Sequence, residues 1–216
     1  MIENCTHILI ESSFIDSKYK FLALKFNISF FVTMPNNILI TGYPGVGKTT
    51  LINNITKQLS CKIEGFYTHE MKEDGRRTGF YITDFEGNQM VMASENSKSP
   101  YRVNKYRVNI EAFEKIGIPA MERALQNADL IVIDEIGRME MFSPKFCDML
   151  RGVFDSEKPL LASIKKIDCE LTNELKKRKD VVIFEITKRN RNEILDEVIQ
   201  RIGENHLVIS SRTCDK

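Results

Sequence analysis

The chain has 216 residues, 42% of them hydrophobic and 28% charged, which suffices for one α/β domain with a sizeable core and excludes a disordered chain. A formal net charge of +1 carries no basic surplus of the kind that displaces counterions, so nucleic-acid binding is not indicated. Five cysteines without a Cys-x-x-Cys pair and three scattered histidines argue against a disulfide framework or a zinc cluster, and point to free thiols in the cytoplasm.

Residues 21–32 are rich in apolar side chains, but Glu3, Glu11 and Asp16 precede them and Lys25 interrupts them. That is neither a secretory signal nor a stretch long enough to span a bilayer, so no membrane association is expected. Residues 1–33 read as an extension, with Met34 as an alternative start; the main domain runs over 34–205 and a tail over 206–216. From residue 37 the pattern becomes regular. The apolar run 38–41 predicts a strand, and Leu51, Ile52 and Ile55 at helical spacing predict a helix over 48–59. Residues 62–70, 79–83 and 89–93 predict strands, separated by the turns Glu73-Asp74-Gly75 and Glu86-Gly87-Asn88; together they read as a β-hairpin insertion. Residues 94–108 read as a loop, and 110–128 as a helix broken near Gly117 and Pro119. The apolar run 130–133 predicts a buried central strand. Helices over 144–154, 169–179 and 191–202 then alternate with strands over 160–164 and 181–186. This alternation implies a mostly parallel sheet flanked by helices, hence an α/β fold.

Gly42-Tyr43-Pro44-Gly45-Val46-Gly47-Lys48-Thr49 fits G-x-x-x-x-G-K-[ST] between a predicted strand and a predicted helix, the context of a phosphate-binding P-loop. Its glycines let successive N–H groups turn inward on phosphate, and the helix that starts at Lys48, Thr49 and Thr50 adds partial positive charge. Lys48 is expected at the β- and γ-phosphates and the Thr49 hydroxyl on Mg2+, the expected cofactor.

The second constellation is Leu130-Ile131-Val132-Ile133-Asp134-Glu135, a strand ending in two carboxylates. Alone, such a run also fits a plain buried strand with a solvated end; beside a P-loop it reads as a Walker B strand. Ligands of open α/β sheets sit beyond the carboxyl ends of the strands, so Asp134 is expected on Mg2+ with Thr49. Glu135 is the candidate to orient or deprotonate the attacking water, which makes Lys48, Asp134 and Glu135 the expected catalytic set. Phosphoryl transfer also asks for a cation at the leaving γ-phosphate, and the loops offer Arg76, Arg77, Arg102, Arg138, Arg189 and Arg191. Arg77 and Arg138 are the foremost γ-phosphate candidates; Arg138 could instead pair with Glu140. Residues 188–191, with Asn190 and Arg191, are the expected base contacts.

The segments 42–51 (GYPGVGKTTL), 65–80 (GFYTHEMKEDGRRTGF), 133–141 (IDEIGRMEM) and 183–192 (IFEITKRNRN) resemble the small nucleoside-triphosphatases of thermophiles and archaea, the family that also holds the vertebrate cancer-related nucleoside-triphosphatase. The resemblance covers residues 36–202 and implies a RecA-like P-loop fold. It also implies Mg2+-dependent hydrolysis of nucleoside triphosphates to diphosphate and phosphate with low base selectivity. It carries the family's nucleotide-contacting segments onto Gly42 to Thr49 and onto Leu130, Ile131, Val132, Ile133, Asp134, Glu135, Ile136 and Gly137. Lys72 stands where the family usually has arginine, Arg138 where lysine is frequent and Met141 where leucine is common. The expected partners are nucleoside triphosphates, and the expected state is a monomer. Two other readings stand beside hydrolysis: a nucleotide or nucleoside kinase, and a nucleotide switch regulated by RNA or a protein.

Overall fold

The computed structural model describes residues 36–166 and 169–204. The extension 1–33, the alternative start at Met34 and the tail 206–216 lie outside the described residues.

Strand β1 (Asn37–Thr41) leads into helix α1 (Lys48–Thr56), one turn shorter than its pattern suggested. Three antiparallel strands follow, β2 (Ile63–Glu73), β3 (Arg76–Asp84) and β4 (Gln89–Ser94), and then β5 (Arg102–Val103) and β6 (Tyr106–Val108). Helix α2 (Ile110–Ala112), a π-helical turn (Phe113–Gly117) and α3 (Ile118–Asn127) lead to β7 (Leu130–Ile136). The remainder is a 3-10 turn (Glu140–Phe142), α4 (Pro144–Asp155), β8 (Leu160–Ile164), α5 (Glu170–Lys176), β9 (Val181–Glu185) and α6 (Arg191–Glu204).

All nine strands of the described residues form one sheet in the order β5-β6-β4-β3-β2-β7-β8-β1-β9. The five from β2 to β9 pair in parallel and the rest antiparallel. Parallel strands are covered on both faces, which is why β1, β7 and β8 read as unbroken apolar runs. Their alternate residues feed two separate cores. Leu39, Ile131, Ile133, Leu160 and Ala162 pack with Met121, Phe146, Leu150 and Phe154 of α3 and α4. Ile38, Ile40, Leu130, Val132 and Leu161 pack with Leu51, Ile52 and Ile55 of α1 and Ile194, Val198 and Ile202 of α6.

Three local expectations change. The hairpin is no separate insertion, because β2 pairs with β7 in parallel from Ile63↔Leu130 to Tyr67↔Asp134 and so belongs to the main sheet. The supposed loop 94–108 holds the short hairpin β5–β6, turned at Asn104 with φ 55 and joined to β4 through Ala93↔Val108. Strands of two and three residues leave no periodicity to read, and what holds them is tertiary: Tyr106 is buried, with its ring edge-on to Phe80 at 5.1 Å. The expected break at Gly117 and Pro119 is instead a wide helical turn. Pro119 follows that turn, inside a helical run that continues from Ile110 to Asn127.

Candidate functional site

The carboxyl ends of β1, β7, β8 and β9 deliver the residues of the site to one edge of the sheet. β1 delivers the glycine loop 42–49. Val46, 8% exposed, anchors it to the core, and the Val46 amide donates to the Tyr43 carbonyl at 3.2 Å. Gly47 starts α1 with φ 103 and no side-chain cap, so the first amides of that helix, at Lys48, Thr49 and Thr50, point out of the helix unsatisfied by any cap. A side chain at Gly47 would stand 2.7 Å from Arg191 Nη1; the guanidinium that opens α6 thus lies directly on the loop. Gly42 and Gly45 also take positive φ. Tyr43 and Pro44 form the exposed outer edge, where the Lys166 ammonium sits 4.6 Å from the Tyr43 ring centre. Lys48 Nζ donates to the Gly42 carbonyl at 3.3 Å, across the mouth of the loop.

β7 delivers the carboxylates. Its ladder to β8 is interrupted between Ile133 and Ile136, which releases Asp134 and Glu135 from pairing on that side. Asp134 is 1% exposed; burial pushes its carboxyl up, while Ser163, Thr49 and Lys48 favour the charged form. The Ser163 hydroxyl donates to Oδ1. Oδ2 completes no hydrogen bond among the described residues although the Thr49 hydroxyl is close enough to act on the group. A buried carboxylate oxygen without a donor, next to an alcohol oxygen, suits a small hard cation that takes one or two protein oxygens and completes its shell with phosphates and water. The described residues contain no cluster of three or more His, Cys, Asp or Glu that could hold a metal by themselves. Thr49 and Asp134 therefore fit Mg2+ of the phosphate-bridging kind.

Glu135 is half-buried. Burial pushes its carboxyl up and the ammonium groups of Lys165 and Lys48 pull it down; Lys165 Nζ stands 3.8 Å from Oε1. Ile136 accepts from the Lys165 amide at 3.0 Å, and the Gly137 amide donates to Glu140 Oε2 at 2.9 Å. By contrast Leu130, Ile131, Val132 and Ile133 are at most 1% exposed and lie in the two cores. Their contribution is to aim Asp134 and Glu135; Ile136 is as deeply buried and belongs to the first core.

The arginines divide. Arg191 reaches the phosphate loop. The Asn190 side chain is engaged locally: it accepts from the Thr187 amide and hydroxyl at 2.7 and 2.9 Å and donates to the Glu185 carbonyl, closing the turn into α6. Arg77 pairs with Glu70 at 2.7 Å and with the Tyr106 hydroxyl at 3.0 Å. It lies opposite Lys72, five residues past the Tyr67↔Asp134 pair, or roughly 17 Å up the strand, beyond the reach of its side chain to Asp134. Arg76 is held by Glu95. Arg138 is exposed and makes no ion pair with Glu140; with Arg102, Asn104, Met141 and Phe142 it lines an open cleft of about 370 Å³. Arg189 is exposed. His69 is a strand residue stacked on Tyr81.

Ser163 and Lys165 have no place in the sequence pattern of the site, and Glu140 enters it only as an alternative partner of Arg138. Ser163 alone left a trace in the sequence, as a polar residue inside an apolar strand.

A family model described as NTPase matches residues 37–199. The chain belongs to this NTPase family. The nucleoside-triphosphatase THEP1 of Thermotoga sp. strain RQ2 is 50% identical over 162 residues, 75% of this chain and 92% of the relative. That of Methanocaldococcus jannaschii is 38% identical over 168 residues, 76% and 96%. Among solved structures, THEP1 from Aquifex aeolicus superposes with a TM-score of 0.72 at 39% identity, over 77% of this chain and 98% of that one. The human cancer-related nucleoside triphosphatase superposes with a TM-score of 0.65 at 32% identity, over 82% and 99%. As a member of the family the chain is an enzyme of the hydrolase class, with the α/β P-loop fold, its sheet parallel in one half and antiparallel in the other. No helix of the described residues is long and apolar enough to cross a membrane.

Proposed function

We propose that this NTPase hydrolyses nucleoside triphosphates to diphosphate and phosphate in the cytoplasm, depends on Mg2+, discriminates little among bases, and works as a monomer. The observation that carries the reading is the meeting of the Lys48–Thr49 loop with Asp134 and Glu135. Its relatives from Thermotoga and Methanocaldococcus are likewise nucleoside-triphosphatases by name.

In this mechanism the loop amides and Lys48 hold the β- and γ-phosphates. Thr49 and Asp134 are the residues that would hold Mg2+, which when bound supplies positive charge against the phosphate oxygens. Ser163 keeps Asp134 turned toward Thr49. Glu135 orients a water for in-line attack on the γ-phosphorus; it accepts the water's proton as the new P–O bond forms and the bond to the diphosphate oxygen breaks. Arg191, on the loop at Gly47, is the cation available in cis to phosphate or to the face of the base. A contact to the face of a base rather than its edge accords with low selectivity, since every base has such a face.

The test is phosphate release from several triphosphates with and without Mg2+. Release from each of them, only with Mg2+ and with no acceptor added, is the expected result. Transfer only to an added acceptor would make the protein a kinase, and hydrolysis negligible until RNA or a protein is added would make it a switch. Lys48→Ala should lower kcat/KM by roughly a hundredfold or more, because it removes charge from the bound and the reacting phosphate alike; near-parental activity would remove the phosphate loop from the mechanism. Arg191→Ala should weaken nucleotide binding about tenfold, the loss of one charge-assisted contact. Titration calorimetry on that variant reads this directly, and an unchanged Kd would assign Arg191 to the surface.

A further inference from the structure

Close to Glu135 stands a second carboxylate that the hydrolytic mechanism does not use. Glu140, on the 3-10 turn, is 3% exposed. Withdrawing an ionisable side chain from water is costly unless it has partners, and its firmest partner is the Gly137 amide, a buried bond of 2.9 Å. Lys165 meets the same segment from β8. Its stem lies on Gly137, where an added Cβ would stand 2.8 Å from Cδ; its amide donates to Ile136, and its ammonium is 3.8 Å from Glu135. Residues 135–137 are thus held between Lys165 and Glu140. The charged and titratable groups facing Glu140 are Glu135 from the end of β7, Lys165 from the end of β8 and the Cys147 thiol of α4, which meets the Glu140 carbonyl at 3.9 Å. Arg138, on the adjoining residues, is exposed and unpaired with it.

We propose that Glu140 is a positioning residue of the hydrolytic site: through the Gly137 amide it holds residues 135–137 against the Lys165 stem and so sets the placement of Glu135. The inference rests on Glu135 as the general base. What the Gly137 bond asks of residue 140 is a buried acceptor of this length, which a carboxylate and an amide both supply.

The experiment compares kcat, KM and melting temperature for Glu140→Ala, which frees the Gly137 amide, and Glu140→Gln, which keeps an acceptor for it. Glu140→Ala should lower kcat about tenfold at constant KM, and Glu140→Gln should restore most of that loss. If Glu140→Ala keeps the parental kcat, or if Glu140→Gln loses as much as Glu140→Ala, the inference falls. Should Glu135→Gln be inactive at the same time, the hydrolytic mechanism survives that failure, whereas an active Glu135→Gln overturns the mechanism itself.

Discussion

Glu135→Gln should bind nucleotide as tightly as the parent protein and lose roughly 10²–10⁴-fold in turnover. The amide is nearly the size of the carboxylate, and Glu135 is only half-buried, so the neighbouring loop and the Asp134–Ser163 contact have no reason to move. What disappears is the capacity to take a proton from water while the γ-phosphoryl group is transferred. The interaction belongs to the transition state, and its loss should appear in kcat and leave binding alone. Single-turnover hydrolysis beside calorimetric binding reads both quantities from one preparation. A variant that keeps its rate would move the base role away from Glu135. A variant that loses binding in proportion would make Glu135 part of the nucleotide cradle.

The largest effect on stability is expected at Gly65. It lies in β2 opposite Val132 of β7, with φ +128, and a Cβ built there would stand 2.0 Å from the Val132 carbonyl oxygen. The obstacle is backbone at the seam between the parallel and antiparallel halves of the sheet, so no rotamer change relieves it. Gly65→Ala must separate β2 from β7 or twist β2 to another φ, and either disturbs Phe66, which is fully buried beside Phe146. The expected loss is about 4 kcal/mol or more, a fall of roughly 10 °C in melting temperature. A melting temperature within two or three degrees of the parent, in the roughly 1 kcal/mol range of an ordinary substitution, would mean that the seam yields.

Much of the site was legible before any fold. The phosphate loop is a local object whose chemistry depends on backbone amides and glycine conformation, and both are written in consecutive residues. Asp134 and Glu135 were legible because an unbroken apolar run has to end at the edge of a parallel sheet. Lys165 and Ser163 were not, since they reach Asp134 and Glu135 only through the β7–β8 pairing, about thirty residues away in the chain. Arg77 was legible as a loop arginine. Its engagement with Glu70 and Tyr106 depends on the hairpin register and on the packing of β6, neither of which has a sequence signal.

What the sequence determined alone was the cradle: a strand, a glycine turn and a helix in the pattern of a phosphate loop, followed by a strand that presents two acids. These follow from hydrophobic period and backbone freedom, properties of neighbours in the chain. Only the tertiary structure decided which side chains surround those acids. It turned Ser163 onto Asp134, laid Arg191 on Gly47, and closed residues 135–137 between Lys165 and Glu140. Strand order sets those encounters, and strand order is a property of how two cores pack on the faces of one sheet, which no local pattern encodes.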